Sequence, residues 1–111
     1  MKRNTSTTMF SLDTILHQPH RTQLIACLLE RKEASFTELK LNLQMTDGNL
    51  EAHLKKLMSA KYITSRKNTT GTRKQTSYLL TETGHAALFC YTSTLQQLLG
   101  VQLFDNSVVG L

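Results

Sequence analysis

Six cations fall in three adjacent pairs, Lys55–Lys56, Arg66–Lys67 and Arg73–Lys74, and an amide, Asn49, stands six residues ahead of the first pair. Paired Lys and Arg at this density perform one kind of chemistry. They neutralise the phosphates of a polyanion and release its condensed counterions. The stretch from Thr46 to Leu80 holds seven Lys or Arg against two Asp or Glu, whereas the remainder has six of each, so the whole +5 charge sits in about one third of the chain. An amide ahead of the cations adds the means to read a base edge, since Asn can pair with adenine in two places.

Other chemistries lack their residues. There is no Gly-rich phosphate loop, nucleophile elbow or metalloprotease motif, and the four histidines and eight acids form no recognisable catalytic set. An enzyme is therefore not expected, and no cofactor is implied. His17 and His20, with Cys27, His85 and Cys90, are the residues from which a metal sensor would have to be built, but no two cysteines have ligand spacing and no metal is expected. Cys27 and Cys90 lie in helix-like contexts and are expected to be reduced, buried thiols of a cytoplasmic protein.

The elements that must position the cations can be read from periodicity and caps. At 111 residues the chain fits a single domain with no membrane span. Residues 1–9 are polar and read as a flexible arm, residues 10–100 as the domain, and residues 101–111 as an apolar tail. After a short apolar segment, Phe10 to Leu16, Pro19 opens a helix whose buried side is Leu24, Ile25, Cys27, Leu28 and Leu29, and which ends in solvent at Arg31, Lys32 and Glu33. Ser35 and Glu38 have the spacing of a capping box, so a short helix starts at Phe36 and stops before a turn over residues 42–46. Thr46 caps the next helix, 47–59, with Leu50, Leu54, Leu57 and Met58 on its core side. Its other side carries Gly48, Asn49, Ala52, Lys55, Lys56 and Ser59, with His53 at the boundary.

After Tyr62, β-favouring residues form two strands about a turn over residues 68–72, and the remaining cations gather near its tip. Thr81 caps a last helix with Glu82 in its first turn, and Gly84 marks a close approach of another backbone. Leu88, Tyr91, Leu95, Leu98 and Gln102 follow a rough heptad seam, with Phe89, Thr92 and Leu99 beside it. So apolar a helix is more than this small domain can cover. Leu88, Tyr91, Leu95, Leu98 and Leu99 are accordingly the expected dimer interface.

Two helices joined by a short turn, the second followed by a basic hairpin, form a helix-turn-helix with a wing. The expected fold class is α+β, mostly α: a winged helix-turn-helix with a small antiparallel β-hairpin wing and a long C-terminal dimerisation helix. The segments His17–Ile25, Ser35–Lys40, Thr46–Leu57 and Thr76–His85, the last containing Tyr78-x-Leu80-Thr81-x-x-Gly84, carry a resemblance to compact winged-helix transcriptional regulators related to the MarR and ArsR groups. It spans about residues 10 to 90. The resemblance implies a homodimeric repressor, with paired terminal helices and two recognition helices on half-sites one turn of double-stranded DNA apart. A small-molecule effector is compatible with it, but no residue pattern supports one. The expected DNA contacts are Thr46, Gly48, Asn49, Ala52, His53, Lys55 and Lys56 on the helix, with Arg66, Lys67, Thr72, Arg73 and Lys74 on the wing. The alternative is a winged helix used for protein interaction or RNA binding, whose recognition face would spread or reverse the charge that Lys55 and Lys56 concentrate.

Overall fold

A computed structural model describes residues 11–71 and 73–100. The arm at 1–9, Phe10, Thr72, Gln102 and the tail at 101–111 lie outside these described residues. Helix α1 runs Pro19–Arg31, strand β1 Glu33–Ser35, helix α2 Phe36–Leu43 and helix α3 Asp47–Ser59. Strands β2, Ile63–Thr70, and β3, Arg73–Leu80, form the hairpin, and helix α4 spans Glu82–Leu99.

Each helix begins where a side chain satisfies an otherwise unpaired amide. Gln18 Oε1 accepts from the Arg21 N–H at 2.9 Å, ahead of Pro19, whose missing N–H costs nothing in the first turn. The capping box forms as its spacing requires: the Glu38 N–H donates to Ser35 Oγ at 3.1 Å, and the Ser35 N–H to Glu38 Oε1 at 2.9 Å. Thr46 Oγ1 accepts from the Asn49 N–H at 3.2 Å and Thr81 Oγ1 from the Gly84 N–H at 3.0 Å. Such caps are each worth about 1 kcal/mol.

The three central helices bury one core. Leu16, Leu24, Ile25, Leu28, Leu39, Leu50, Leu54 and Leu57 are almost wholly excluded from solvent. Leu29 is not part of it; at 45% exposure it lies beyond the edge of the buried stripe of α1, because Leu24, Ile25 and Leu28 already fill that stripe. The Cys27 thiol is half-buried and Cys90 is exposed, so only Cys27 approaches the buried thiol that the sequence suggests. Cys90, though exposed, sits on the side of α4 that faces Tyr62 and residues 11–13.

The sheet is three-stranded and antiparallel in the order β1-β3-β2. Strand β1 is absent from the sequence reading, which leaves Glu33 in solvent. Ala34 pairs with Tyr78 and Ser35 with Ser77, so the three residues add an edge strand and bury Ala34 and Ser35. The hairpin ladder also runs further than the expected turn allows. Thr70 pairs with Arg73, leaving a two-residue loop, and Gly71 supplies the positive φ of 63° that such tight hairpin turns favour.

Two tyrosines tie the segment before α1 onto the body. The Tyr62 hydroxyl donates to Asp13 Oδ2, and burial, reinforced by that carboxylate, pushes the Tyr62 phenol up to about 12. Tyr91, which the heptad pattern places in a dimer seam, is instead 7% exposed, and its hydroxyl meets His17 Nδ1 at 3.0 Å. Its ring belongs to the subunit's own core because the residue 11–18 segment covers that side of α4. Leu88 and Leu95 are also half-buried against this core, whereas Phe89, Leu98 and Leu99 are 68%, 46% and 61% exposed.

Gly84 marks the tightest crossing. The Tyr62 carbonyl accepts from the Thr81 N–H at 3.0 Å, and a Cβ at Gly84 would lie 2.1 Å from that same oxygen. The obstacle is backbone, so α4 must shift to admit a methyl. Gly84→Ala is expected to lose about 1–3 kcal/mol of stability, measured by urea unfolding. A variant as stable as the parent would show that this crossing relaxes without cost.

Candidate nucleic-acid interface

At 100° per residue, Gly48, Asn49, Ala52, Lys55, Lys56 and Ser59 occupy one continuous arc of α3, and all six are exposed. The opposite arc, Leu50, Leu54 and Leu57, is buried. Small residues near the helix start leave room for a close approach, while the lysines follow one to two turns later. Thr46 is occupied as the cap. Asp47 pairs with Lys40 of α2 at 2.7 Å, across the turn between the two helices. Both partners are largely exposed, so this bridge contributes little to stability, but it takes up the acid in the first turn of α3.

The arc has two margins. On one side Glu51 faces the wing, close enough that its carboxylate adds to burial in pushing the Tyr78 phenol up. On the other side His53 is half-buried against α1. There the Arg21 guanidinium approaches His53 Nδ1 at 3.2 Å, and the His20 and His53 ring centroids are 5.4 Å apart. Burial, followed by the Arg21 and His20 charges, holds the His53 imidazole below its ordinary value.

On the wing, strand alternation separates cations that the sequence presents as one cluster. Ile63, Ser65, Lys67 and Thr69 share a face with Leu80, Tyr78, Thr76 and Lys74, and the buried Ile63 shows that this face lies on the helices at its base. Lys67 and Lys74 therefore extend the helix-facing side outward. Arg66 and Arg73 occupy the other face. Arg66 is also engaged there: its guanidinium binds the Glu33 carboxylate of β1, with Nε 3.3 Å from Oε2. Asn68 Nδ2 completes this network, 2.8 Å from Ser77 Oγ and 3.4 Å from Glu33. The hydrogen bond from Arg66 is the main reason that the Glu33 carboxyl is held below the usual carboxylate range. The sequence reading, which groups Arg66 with the wing-tip cations, missed this pairing because its partner belongs to the unforeseen edge strand. Lys67→Ala with Lys74→Ala is expected to lower the slope of log affinity against log salt by about 1.8, at about 0.9 per lost phosphate contact. Arg66→Ala should change it far less. Equal effects in an anisotropy titration would put Arg66 at the polyanion after all.

A cleft of about 300 Å³ opens between the residue 11–13 segment, Tyr62 and α4, with Ala87, Cys90 and Thr94 on its wall. Its main polar groups, Tyr62 and Asp13, are bonded to each other. Among the described residues no three His, Cys, Asp or Glu side chains converge as metal ligands, and no helix is long and apolar enough to cross a membrane.

The profile of a winged-helix DNA-binding domain matches residues 20–99, from α1 to the end of α4. The chain belongs to that family. The matched domain is thus a DNA-binding module. It is 35% identical over 78 residues to an uncharacterised protein of Methanocaldococcus jannaschii, covering 70% of this chain and 85% of the relative. It is similar in fold to a transcriptional regulator homologue from Pyrococcus horikoshii, with a TM-score of 0.76 at 24% identity over 87% of this chain and 96% of that one. It is also similar in fold to MepR of S. aureus, solved as a complex with DNA, with a TM-score of 0.62 at 17% identity over 85% of this chain and 73% of MepR.

Proposed function

We infer that this winged-helix protein is a DNA-binding transcriptional regulator that works in the cytoplasm as a homodimeric repressor. Helix α3 enters the major groove, Asn49 and Ala52 read base edges, and Lys55 and Lys56 meet phosphates or a guanine edge. Gly48 and the capped start at Thr46 let the backbone come close to the duplex. His53 and Arg73 contact phosphates from the margins, while Lys67 and Lys74 lie along the backbone or the minor groove and add affinity with little sequence information. The α4 helices of two subunits pair through Leu98 and Leu99, bringing two α3 helices to half-sites one turn of DNA apart. Occupying a promoter in this way blocks polymerase.

The observation that carries this reading is the unbroken exposed arc of α3, small and polar at its start and cationic further on, beside a wing that holds further cations. A protein-interaction module has no need to gather its excess charge around a single helix face. The test is fluorescence anisotropy of a labelled random-sequence duplex at several salt concentrations. Affinity that falls linearly with log salt supports the phosphate contacts. No binding even at low salt rejects the reading and moves the wing to another partner.

A further inference from the structure

We propose that His20, Arg21 and His53 form a second phosphate-contact margin, on the α1 side of the reading face, through which DNA binding tightens as pH falls. The proposal rests on α3 being the groove-entering helix.

The margin combines like charges with no acid to balance them. Arg21 Nε donates to the Ile15 carbonyl at 2.6 Å, and Nη2 reaches the Thr14 carbonyl at 3.4 Å. Its Nη1 lies 3.2 Å from His53 Nδ1. A guanidinium only donates, so Nδ1 must present its lone pair, and the neutral ring carries its proton on Nε2. The second imidazole, His20, is exposed beside it. The charges acting on His53 from α1 are those of Arg21 and His20, with no carboxylate among them. Asp13, the acid just before α1, is taken up by the Ile15 and Leu16 amides and by Tyr62. On α3 itself, the nearest residues on the same side are Asn49 and Lys56, four positions before and three after.

Protonating His53 puts a hydrogen on Nδ1 and sets one cation against another. Burial already disfavours the charged ring, and in the unbound protein nothing offsets the added repulsion, so the imidazole stays neutral at lower pH than usual. An anion seated over the margin removes the penalty. It accepts from both rings and from an Arg21 released from Nδ1, which are strong charge-assisted hydrogen bonds. The duplex supplies such an anion one turn away from Asn49 and Lys56, where the backbone flanks the groove. Binding is then coupled to proton uptake, and each unit by which the phosphate raises a histidine pKa yields up to tenfold in affinity once pH drops below it.

Stability moves the opposite way. Because the folded protein holds His53 below its ordinary value, the unfolded chain takes up the proton first as pH falls past about 6.5. The contribution of His53 to folding is therefore present above that pH and lost below it. A residue with a merely structural role shows the loss of stability without the gain in affinity.

The test is anisotropy of a labelled random-sequence duplex at constant low salt from about pH 8 to about pH 5.5, the range in which imidazoles titrate, with circular dichroism confirming the fold at each point. The parent should bind about three- to tenfold tighter at the acid end. His20→Asn with His53→Gln should flatten that dependence. His20→Asn alone, at an exposed position, should reduce it and serves if the double variant does not fold. A flat profile in a parent that still binds with a salt slope overturns this margin and leaves the α3 reading standing. Full acid tightening retained in the folded variants also overturns it. No binding at any pH or salt rejects the α3 reading and this proposal with it.

Discussion

Leu54→Ala should lose about 2–5 kcal/mol of stability, while Lys55→Ala, one residue later, should leave stability within about 0.5 kcal/mol and weaken DNA binding instead. The contrast follows from the two arcs of α3. Leu54 is 1% exposed among the core leucines, and the packed layers of α1 and α3 around it collapse only partly onto a cavity. Against a total stability of about 5–15 kcal/mol, that loss is enough to unfold a large share of the molecules on mild heating. Lys55 is fully on the solvent arc with no ion-pair partner among the described residues. Its loss should lower the salt slope by about 0.9. Urea unfolding and a salt-series titration on the same two variants check both halves. If Lys55→Ala unfolds the protein, or Leu54→Ala leaves its stability intact, the assignment of the two faces of α3 is wrong.

Leu98→Asp with Leu99→Asp is expected to convert a dimer into a monomer on a sizing column, with the helical signal retained. These side chains are 46% and 61% exposed on the subunit and occupy adjoining sides of the last turn of α4. Apolar side chains that remain uncovered along a helix end are the material of an interface. Tyr91 makes the opposite prediction from the one its heptad position suggests. Tyr91→Phe removes the hydroxyl that meets His17, costs about 0.5–1.5 kcal/mol of stability, and leaves the oligomeric state alone. Leu95→Asp, half-buried against the core, should reduce stability as well as association. An unchanged elution volume for the Leu98 and Leu99 double variant rejects pairing through α4.

Much of the site was legible because it is local. The three caps at Ser35, Thr46 and Thr81 are recognised by side chains reaching only three residues along the chain, and such spacing is visible without any fold. The arcs of α3 are a matter of 100° per residue. Likewise the close approach at Gly84 was signalled by a glycine inside an otherwise good helix, although its neighbour, the Tyr62 carbonyl, was not. What the periodicity of α4 could not reveal is which strip of an apolar helix its own subunit covers. Tyr91 and Leu98 look alike in a heptad, and only the segment at residues 11–18, held down by the Tyr62–Asp13 and His17–Tyr91 hydrogen bonds, distinguishes them.

The wing divides along the same line. Its cationic composition and its strands were plain from residue type, but a cation's role depends on which face of the sheet it occupies and on what else reaches that face. Strand pairing sets the first, and the second is set by a three-residue edge strand too short to leave a periodic signal. Glu33 is distant from Arg66 in sequence and bonded to it in space. By itself the amino-acid sequence thus determined the winged-helix class, the helix boundaries and the location of the charge, all encoded in neighbours within a turn or two. Tertiary structure alone decided which cations are engaged, which apolar residues stay exposed, and that His53 meets Arg21 and His20. Those outcomes depend on contacts between elements remote in the chain, and no local preference specifies them.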